Sequence, residues 1–346
     1  MRKVLLLFLA VLLFSGFVHA GEKKKWRIAM SNNFAGNSWR QTMIKDWEKV
    51  AALALSEGLI MEAPVFTTNE SSATEQAAQL QSLILEGYDA IVLNAASPTA
   101  LNAAVKEAVE AGVVVVSFDN AVTEEAAWRL YTDFEALGMG QIDFIAERFP
   151  EGNLLSVRGL AGTYTDGANN KGVLLGLEKH SGLKIIKEVY GNWTQSIAQK
   201  EVAGVLPSLP EVVAVVTQGG DGYGTYKAFE AAGRKIPLMV FGNRQDELEL
   251  WKELSEKTGY ESMSQAIPPG TCTIAFWMAV EILEGTDVPK EMKIPGLVIR
   301  EDTRDKFLAV TPKGGDASIV YPRDWVRELI LNAKAGKPDP RDPDPE

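Results

Sequence analysis

Apolar residues fall into short continuous runs along the chain, separated by longer segments in which they recur at helical spacing. Most of these runs do not alternate with polar residues, which is typical of strands buried on both faces of a sheet. They predict strands at WRIAM, MEAPVFT, AIVLNA, VVVVSFD, NLLSVRG, KIIKEVY, VVAVVTQ and LMVFGN. Strands that alternate with helices predict parallel, right-handed βαβ units with helices on both faces of the sheet.

The predicted helices carry signals at their ends. Ser72 and Glu75 have the spacing of a capping box, and Ser97 before Pro98 has the pattern of an N-cap followed by a first-turn proline. Glycines at positions 58, 87 and 112 follow helical segments, as is typical of helix C-termini. These signals place the helices between the predicted strands.

The alternation of strands and helices runs through the chain twice. One series ends near VVVVSFDN, a second begins after WRLYTDFEALG, and the last third crosses between the two halves. We therefore predict an α/β fold of two doubly wound, parallel-sheet lobes. The first lobe is predicted over residues 26–132 and 266–296, and the second over residues 133–265 and 297–335. The Pro- and Asp-rich residues 336–346 predict a disordered tail.

Residues 1–20 have the pattern of a secretory signal peptide. Arg2 and Lys3 precede an apolar run over residues 4–17, and the small residue Ala20 ends a cleavage site. No other apolar run reaches the roughly 20 residues that span a bilayer. We therefore expect an exported, periplasmic protein that begins near Gly21.

Composition excludes several function classes. The chain has 46 acidic and 35 basic residues, and removal of the two basic residues of the signal peptide leaves a net charge of −13. Such acidity argues against a nucleic-acid partner. His180 is the one histidine outside the signal peptide, which excludes multi-histidine zinc sites, and a Ser-His-Asp triad would need it. Cys272 is the one cysteine, so an intramolecular disulfide is excluded. We predict no catalytic residue, metal or cofactor.

Polar and aromatic residues follow many of the predicted strands, where doubly wound sheets bind their ligands. Amide and carboxylate groups can pair with hydroxyls, and indole rings can cover C–H faces, so this set favours a neutral, polyhydroxylated ligand. Turn composition explains Asn and Asp in loops, but it does not explain two Trp residues there. The candidates from this pattern are Asn37, Trp39, Asn94, Asp119, Asn120, Arg158, Trp193, Gln218, Asn243 and Arg244.

These features resemble a known family. The segment VLNAASPTALNAAVKEAVEAGVVVVSFDN, with the signal peptide and two predicted lobes, is similar to periplasmic sugar-binding proteins of ABC transporters, of the type I fold and ribose-binding branch. The resemblance extends from about Trp26 to Val298. It implies a three-segment hinge, closure of the lobes around a sugar or polyol, and docking of a monomeric, closed protein on a membrane permease.

The resemblance also implies roles for single residues. Trp39 and Trp193 match the facing aromatic residues of the two lobes, and further matches are Asn37, Asn94, Asp119, Gln218, Gln265 and one of Asn243 and Arg244. Asn120 and Asn169 depart from it, because both stand where ribose binders often carry Arg. The chain thus lacks two cations that ribose binders often have, but it has Arg158 or Arg244 elsewhere in the predicted site. Another monosaccharide or a polyol therefore fits better than ribose.

Three other functions occur on, or can be proposed for, a core of this kind. Transcription repressors share the core, but a signal peptide stands here where they carry a helix-turn-helix. A nucleotide-dependent enzyme is disfavoured because GGDGYG lacks the G-x-G-x-x-G spacing. A sensor that presents its ligand to a chemoreceptor or sensor kinase stays open. Arg40 is expected to face away from the ligand, since it lies about 100° around the helix from Trp39, and Arg300 could face either the cleft or solvent.

Overall fold

The computed structural model describes residues 24–69 and 71–345. The predicted signal peptide therefore lies outside the described residues. Among the helices of the described ranges, none is both long and apolar enough to cross a membrane.

Strands and helices alternate along the chain as the apolar runs predicted. The strands are β1 (Trp26–Asn32), β2 (Ile60–Glu62), β3 (Val65–Thr67), β4 (Ala90–Asn94), β5 (Val114–Phe118), β6 (Trp128–Thr132), β7 (Gly152–Arg158), β8 (Leu183–Tyr190), β9 (Ala214–Thr217), β10 (Leu238–Phe241), β11 (Met263–Ala266), β12 (Glu291–Ile294) and β13 (Leu297–Ile299). The helices are α1 (Ser38–Ser56), α2 (Ala73–Leu85), α3 (Asn102–Glu110), α4 (Phe134–Ala146), α5 (Tyr164–Lys179), α6 (Gln195–Val205), α7 (Gly222–Ala231), α8 (Gln245–Thr258), α9 (Thr271–Leu283), α10 (Glu301–Val310) and α11 (Arg323–Ala335).

Two α/β lobes, each built on a mostly parallel sheet, form the molecule, which confirms the predicted fold class. The first sheet has the order β12-β6-β5-β4-β1-β2, and β3 also pairs with β1. The second has the order β13-β11-β10-β9-β7-β8, in which β13 runs antiparallel to β11. The register of β1 and β4 sets Asn32 beside Asn94, so the carboxyl ends of the central strands lie at one edge.

Two predicted elements differ in detail. The run MEAPVFT divides into β2 and β3 around Pro64, which has no N–H to donate to a sheet ladder. The third helix begins at Asn102 rather than after Ser97, because the intervening residues form a turn. In that turn, the backbone N–H of Ala100 donates to the Ser97 hydroxyl at 3.2 Å. The serine therefore caps a turn and not the helix itself.

The chain crosses between the lobes from β6 to α4, from β11 to α9 and from β12 to β13. After α10 it returns to the first lobe, where α11 packs on α9 and Arg323 pairs with Glu281 at 2.7 Å. The assignment of residues 297–335 to the second lobe is therefore wrong for α11. The tail also differs from the predicted disorder, since the Trp325 indole N–H donates to the Arg341 carbonyl at 2.9 Å.

Large apolar side chains fill the space between the sheets and their helices. Trp47, Trp251 and Trp277 are fully buried. Helix α9 is buried from Thr271 to Glu281, as its nearly continuous apolar sequence requires. Cys272 lies within it as a buried thiol, whose pKa is raised by the burial.

Candidate ligand-binding cleft

A cleft of about 830 Å3 lies between the lobes. This volume includes space that opens to solvent, and residues of both lobes line it. The structure brings together most of the predicted residues there: Asn37, Trp39, Asp119, Asn120, Asn169, Trp193, Gln218, Asn243, Arg244 and Gln265. It adds side chains that the sequence reasoning missed, namely Arg40, Phe134, Leu137, Gln141, Thr165 and Asp316.

The start of α1 supplies part of the wall from the first lobe. Asn37 is the N-cap of the helix, and its side-chain oxygen accepts a hydrogen bond from the Arg40 backbone N–H at 2.8 Å. The Trp39 indole N–H donates to the Ile267 carbonyl at 2.9 Å, on the crossing between β11 and α9. The helix cap and the crossing together fix the indole at the edge of the cleft. Stacking of Trp39 on a ligand remains a prediction.

Arg40, Asp119 and Asn94 form a buried cluster in this wall, here called the first-lobe triad. The Arg40 guanidinium lies 3.0 Å from the Asp119 carboxylate and donates to the Asn94 amide oxygen at 3.2 Å. The Asn94 amide nitrogen donates to the same carboxylate at 3.0 Å. Burial lowers the pKa of Arg40, and the charge of Asp119 opposes that shift. Each member is thus bonded to the other two, and both contacts of Asp119 are made by its Oδ2 atom.

The triad corrects two predictions. Arg40 does not face away from the cleft but lines it, because a long side chain at the first turn of α1 can reach the carboxylate that follows β5. Asn94 does not line the cleft, since its fully buried amide is engaged beneath the ion pair. Its amide holds Arg40 and Asp119 in place from beneath the wall.

Trp193 stands in the opposite wall, in a loop with an unusual backbone. Asn192 and Trp193 both have positive φ, at 53° and 52°, which costs free energy for residues other than glycine. The indole lies against Gly159, where an added Cβ would approach the Trp193 ring to 2.2 Å. Arg244 holds the loop, because its guanidinium donates to the Trp193 carbonyl at 3.0 Å. A glycine and an arginine thus fix the second indole.

Arg158 lies behind this wall and not in it. Its guanidinium donates to the Asp166 carboxylate at 2.6 Å, and Gln218 donates to the same carboxylate at 2.9 Å. The Gln218 side-chain oxygen accepts from the Gly159 backbone N–H at 3.0 Å. Arg158 is thus not among the residues that line the cleft, although it was predicted to contact the ligand. Arg158 fixes Asp166, which in turn orients Gln218 toward the cleft.

Helices α4 and α5 bring further residues to the same wall through two glycines. An added Cβ at Gly138 would lie 2.2 Å from the Asn169 carbonyl oxygen, and one at Gly172 would lie 2.0 Å from the Glu135 carbonyl oxygen. The helix backbones are therefore in direct contact. This contact places Asn169 of α5 beside the apolar and amide residues of α4, which are Phe134, Leu137 and Gln141.

Three polar atoms on this side are buried and have no hydrogen-bond partner among the residues that the structure describes. They are Asn169 Oδ1, Arg244 Nε and Asp316 Oδ2. Burial raises the pKa of Asp316, while the nearby charge of Arg244 opposes the shift. Buried polar groups in proteins are nearly always paired, so groups without a partner mark places where a ligand can donate or accept.

The remaining predicted residues are partly engaged by the crossings. Asn243 donates to the Leu297 carbonyl at 3.3 Å, and Gln265 donates to the Leu137 carbonyl at 2.7 Å. Asn120 accepts a hydrogen bond from Thr165 of the other lobe at 3.4 Å, which joins the two walls. These amides thus connect the cleft to the segments that join the lobes.

Two other polar residues lie away from the cleft. His180 contacts Asp143 at 2.8 Å beside the end of α5, and Arg300 is exposed at the start of α10. Over residues 24–69 and 71–345, no group of three or more His, Cys, Asp or Glu side chains has the arrangement of a metal site.

Comparison with known proteins extends over most of the chain. A family model described as "Periplasmic binding protein domain" matches residues 28–287. The crystal structure of an ABC transporter solute-binding protein from Thermobispora bispora superposes with a TM-score of 0.85 and 36% sequence identity, over 93% of this chain and 99% of that chain.

Two curated proteins show how wide the similarity is. The xylitol-binding protein of Mycolicibacterium smegmatis is 25% identical over 248 residues, which is 70% of this chain and 68% of that protein. The ribose import binding protein of Bacillus subtilis is 22% identical over 284 residues, 80% of this chain and 88% of that protein. The family model matches most of the chain, and the two-lobed fold is shared with the solved structure. This chain therefore belongs to the periplasmic binding protein family and resembles its ribose-binding members.

Proposed function

We propose that this protein is the solute-binding component of an ABC importer, that it captures a monosaccharide or polyol in the cleft, and that it delivers this ligand to a membrane permease. The observation that carries the proposal is the composition of the cleft, in which indole rings and buried polar groups come from both lobes. The names of the relatives, which bind xylitol or serve ribose import, support the same ligand class.

The charges in the cleft favour an uncharged ligand. The Arg40 guanidinium is paired with Asp119 at 3.0 Å, so its charge is balanced within the first lobe. Arg244 and Asp316 meet in an isolated β-bridge, and the charge of Arg244 opposes the rise in the pKa of Asp316 that burial causes, so a second cation and anion lie near each other. An anionic or cationic ligand would disturb one of these balances, whereas hydroxyl groups can donate to the acceptors and accept from the donors.

Two walls on two lobes explain how binding drives closure. A ligand contacts both walls at once only when the lobes are closed, so it stabilises the closed state over an open one. Each hydrogen bond or aromatic contact contributes about 1–3 kcal/mol before the costs of ordering. Several of them, less those costs, correspond to a dissociation constant of about 1 µM or lower. In this account the protein is a periplasmic monomer without catalytic activity.

A thermal-shift panel of pentoses, hexoses and polyols on the mature protein tests the proposal. A ligand at a hundred times its dissociation constant stabilises the folded state by about 2.7 kcal/mol, so a matching sugar should raise the Tm by several degrees. The absence of a shift with every member of the panel would falsify the proposal. The ligand should also be recovered chemically unchanged, since an altered product would instead indicate an enzyme.

A genetic comparison tests the partner. If the protein serves a permease, its deletion should abolish uptake of the identified sugar, and expression of the protein should restore uptake. Normal uptake together with a lost transcriptional or chemotactic response to that sugar would contradict transport and favour a sensor.

A further inference from the structure

A second space adjoins the cleft, with a volume of about 570 Å3. We call it the side chamber. It lies between residues 36–38 at the start of α1, residues 193–194 of the second lobe, and the turn at residues 314–315. Three side chains, Asn37, Trp193 and Arg244, line both the cleft and the side chamber. The two spaces therefore meet at the indole and the guanidinium that bound the cleft.

The side chamber has its own unpartnered polar atoms. Asp246 Oδ1 and Arg244 Nε are buried and have no hydrogen-bond partner within the described part of the chain, while the Ser38 hydroxyl lies close to the Asp316 carboxylate. The other oxygen of Asp246 accepts a hydrogen bond from Gln195 at 2.7 Å, which holds the carboxylate in place. A carboxylate oxygen and a guanidinium N–H thus remain available within one space, and such groups are rare unless something binds them.

The walls leave this space unfilled and balance its charge. Positions 314 and 315 are both glycine, so that turn contributes no side chain. Gly314 has a φ of 75°, which favours glycine there over other residues. One cation, Arg244, and one anion, Asp246, line the space, so a neutral group that both donates and accepts suits it best.

We propose that the side chamber is a second subsite, which holds a hydroxylated substituent of a ligand whose first ring occupies the cleft. The ligand class is then a disaccharide or a hydroxylated glycoside. The bond between its two parts would pass beside Trp193 and Arg244, where the cleft and the side chamber meet. The side chamber has about 570 Å3 against about 830 Å3 for the cleft, both including space open to solvent, so it can accept a second ring and not only a methyl group. This inference rests on the proposed function and narrows its ligand class.

Matched one-ring and two-ring ligands test the subsite by isothermal titration calorimetry. The pairs are D-xylose with xylobiose, D-glucose with cellobiose and with maltose, and myo-inositol with galactinol. In at least one pair, the two-ring ligand should bind at least tenfold more tightly than the one-ring ligand. Equal affinities within threefold in every pair in which the one-ring ligand binds overturn the inference but leave the proposed function. No binding in any pair or in the broader panel overturns both.

Ser38 offers a matched set of variants, because it lines the side chamber and not the cleft. Ser38→Leu fills the space and should remove the higher affinity of the two-ring ligand over the one-ring ligand. The dissociation constant of the one-ring ligand should stay within twofold of the wild-type value. Ser38→Ala deletes only the hydroxyl and should keep most of the gain. Thr194→Phe fills the chamber from the opposite lobe and serves if Ser38→Leu does not fold. If Ser38→Leu or Thr194→Phe folds and the two-ring ligand still binds more tightly than the one-ring ligand, the subsite proposal is overturned.

Discussion

The two walls of the cleft use their polar groups in opposite ways. In the first lobe, Arg40, Asp119 and Asn94 satisfy one another at distances of 3.0–3.2 Å. On the opposite side, Asn169 and Arg244 each keep a buried polar atom without a partner among the described residues. The three side chains of the first-lobe triad are thus bonded to one another without a ligand, whereas Asn169 and Arg244 in the second wall are not fully paired.

This difference separates folding from recognition. An unsatisfied buried polar group costs about 1–3 kcal/mol, so the second wall is less stable without a ligand than with one. A ligand that pairs with these atoms recovers that cost on binding. Changes in the first wall should therefore reduce the stability of the free protein, and changes in the second should reduce the affinity for the ligand.

The largest expected effect is in the first-lobe triad. Asp119→Ala leaves the buried Arg40 guanidinium without its counter-ion, and breaking a buried ion pair in this way costs about 3–5 kcal/mol. We expect the free energy of unfolding, measured with urea, to fall by that amount. The double variant Arg40→Met/Asp119→Asn removes both charges, keeps a residue that tolerates the φ of 56° at position 119 and can still bond Asn94, and should recover most of the loss. A single variant as stable as wild type would contradict the role of the triad.

Glu247 lies behind the second wall and sharpens the comparison through pH. It is fully buried, and its carboxylate accepts hydrogen bonds from the backbone N–H groups of Gly222 and Gly242 at 3.0 and 2.5 Å. Desolvation raises the pKa of Glu247 to about 7. The native state therefore holds its proton more tightly than the unfolded chain, and the stability should fall as the pH rises from about 4.5 to about 7.

A shift of this size corresponds to about 3 kcal/mol of stability lost between pH 4.5 and 8. Urea unfolding of the wild type and of Glu247→Gln at pH 5 and pH 8 measures it. The wild type should lose more stability than the variant over this interval, because glutamine does not titrate. An identical pH dependence of the two proteins would show that Glu247 does not carry the change.

Asn169 tests the second wall itself. Its Oδ1 atom has no partner in the described structure, so Asn169→Leu removes an unsatisfied group and should leave the free energy of unfolding unchanged or slightly higher. The affinity for the sugar or polyol should fall about 10- to 100-fold, since a hydrogen bond to the ligand is lost. A large loss of stability with unchanged affinity would reverse the assignment of the two walls.

Trp193 is expected to give the smallest of these effects. Trp193→Ala should weaken sugar binding about tenfold, because the ligand loses an aromatic surface, and should change the Tm of the free protein only slightly. A sharp fall in that Tm would show that the indole is a packing residue. Gly159→Ala is a useful companion, because an added Cβ would meet the Trp193 ring at 2.2 Å and displace it.

Sequence reasoning found the fold and much of the cleft because those signals are local. Continuous apolar runs defined the strands, and an indole in a loop of small polar residues is conspicuous, as at Trp39 and Trp193. Asp119 and Gln218 follow directly from the ends of β5 and β9. In doubly wound sheets such positions converge at the same edge, so local patterns were sufficient to collect them.

The rest depended on contacts between segments far apart in the chain. Arg40 belongs to the cleft because Asp119 attracts it, and a helical-wheel argument about α1 alone could not include that partner. Asp316 reaches Arg244 through an isolated β-bridge. Arg158 was misplaced because its partner Asp166 lies on α5, after a loop whose path the sequence did not define. The GG pair before Asp316 is a local sign of a turn there.

Isothermal titration calorimetry of the mature protein and of Asn169→Leu, with the best ligand of the panel, tests the central claim most directly. The account predicts one ligand per protein, a dissociation constant near 1 µM or lower for the wild type, and an affinity loss of at least tenfold in a variant that unfolds as the wild type does. Equal affinities of the two proteins, or no binding heat with any sugar or polyol, would contradict it.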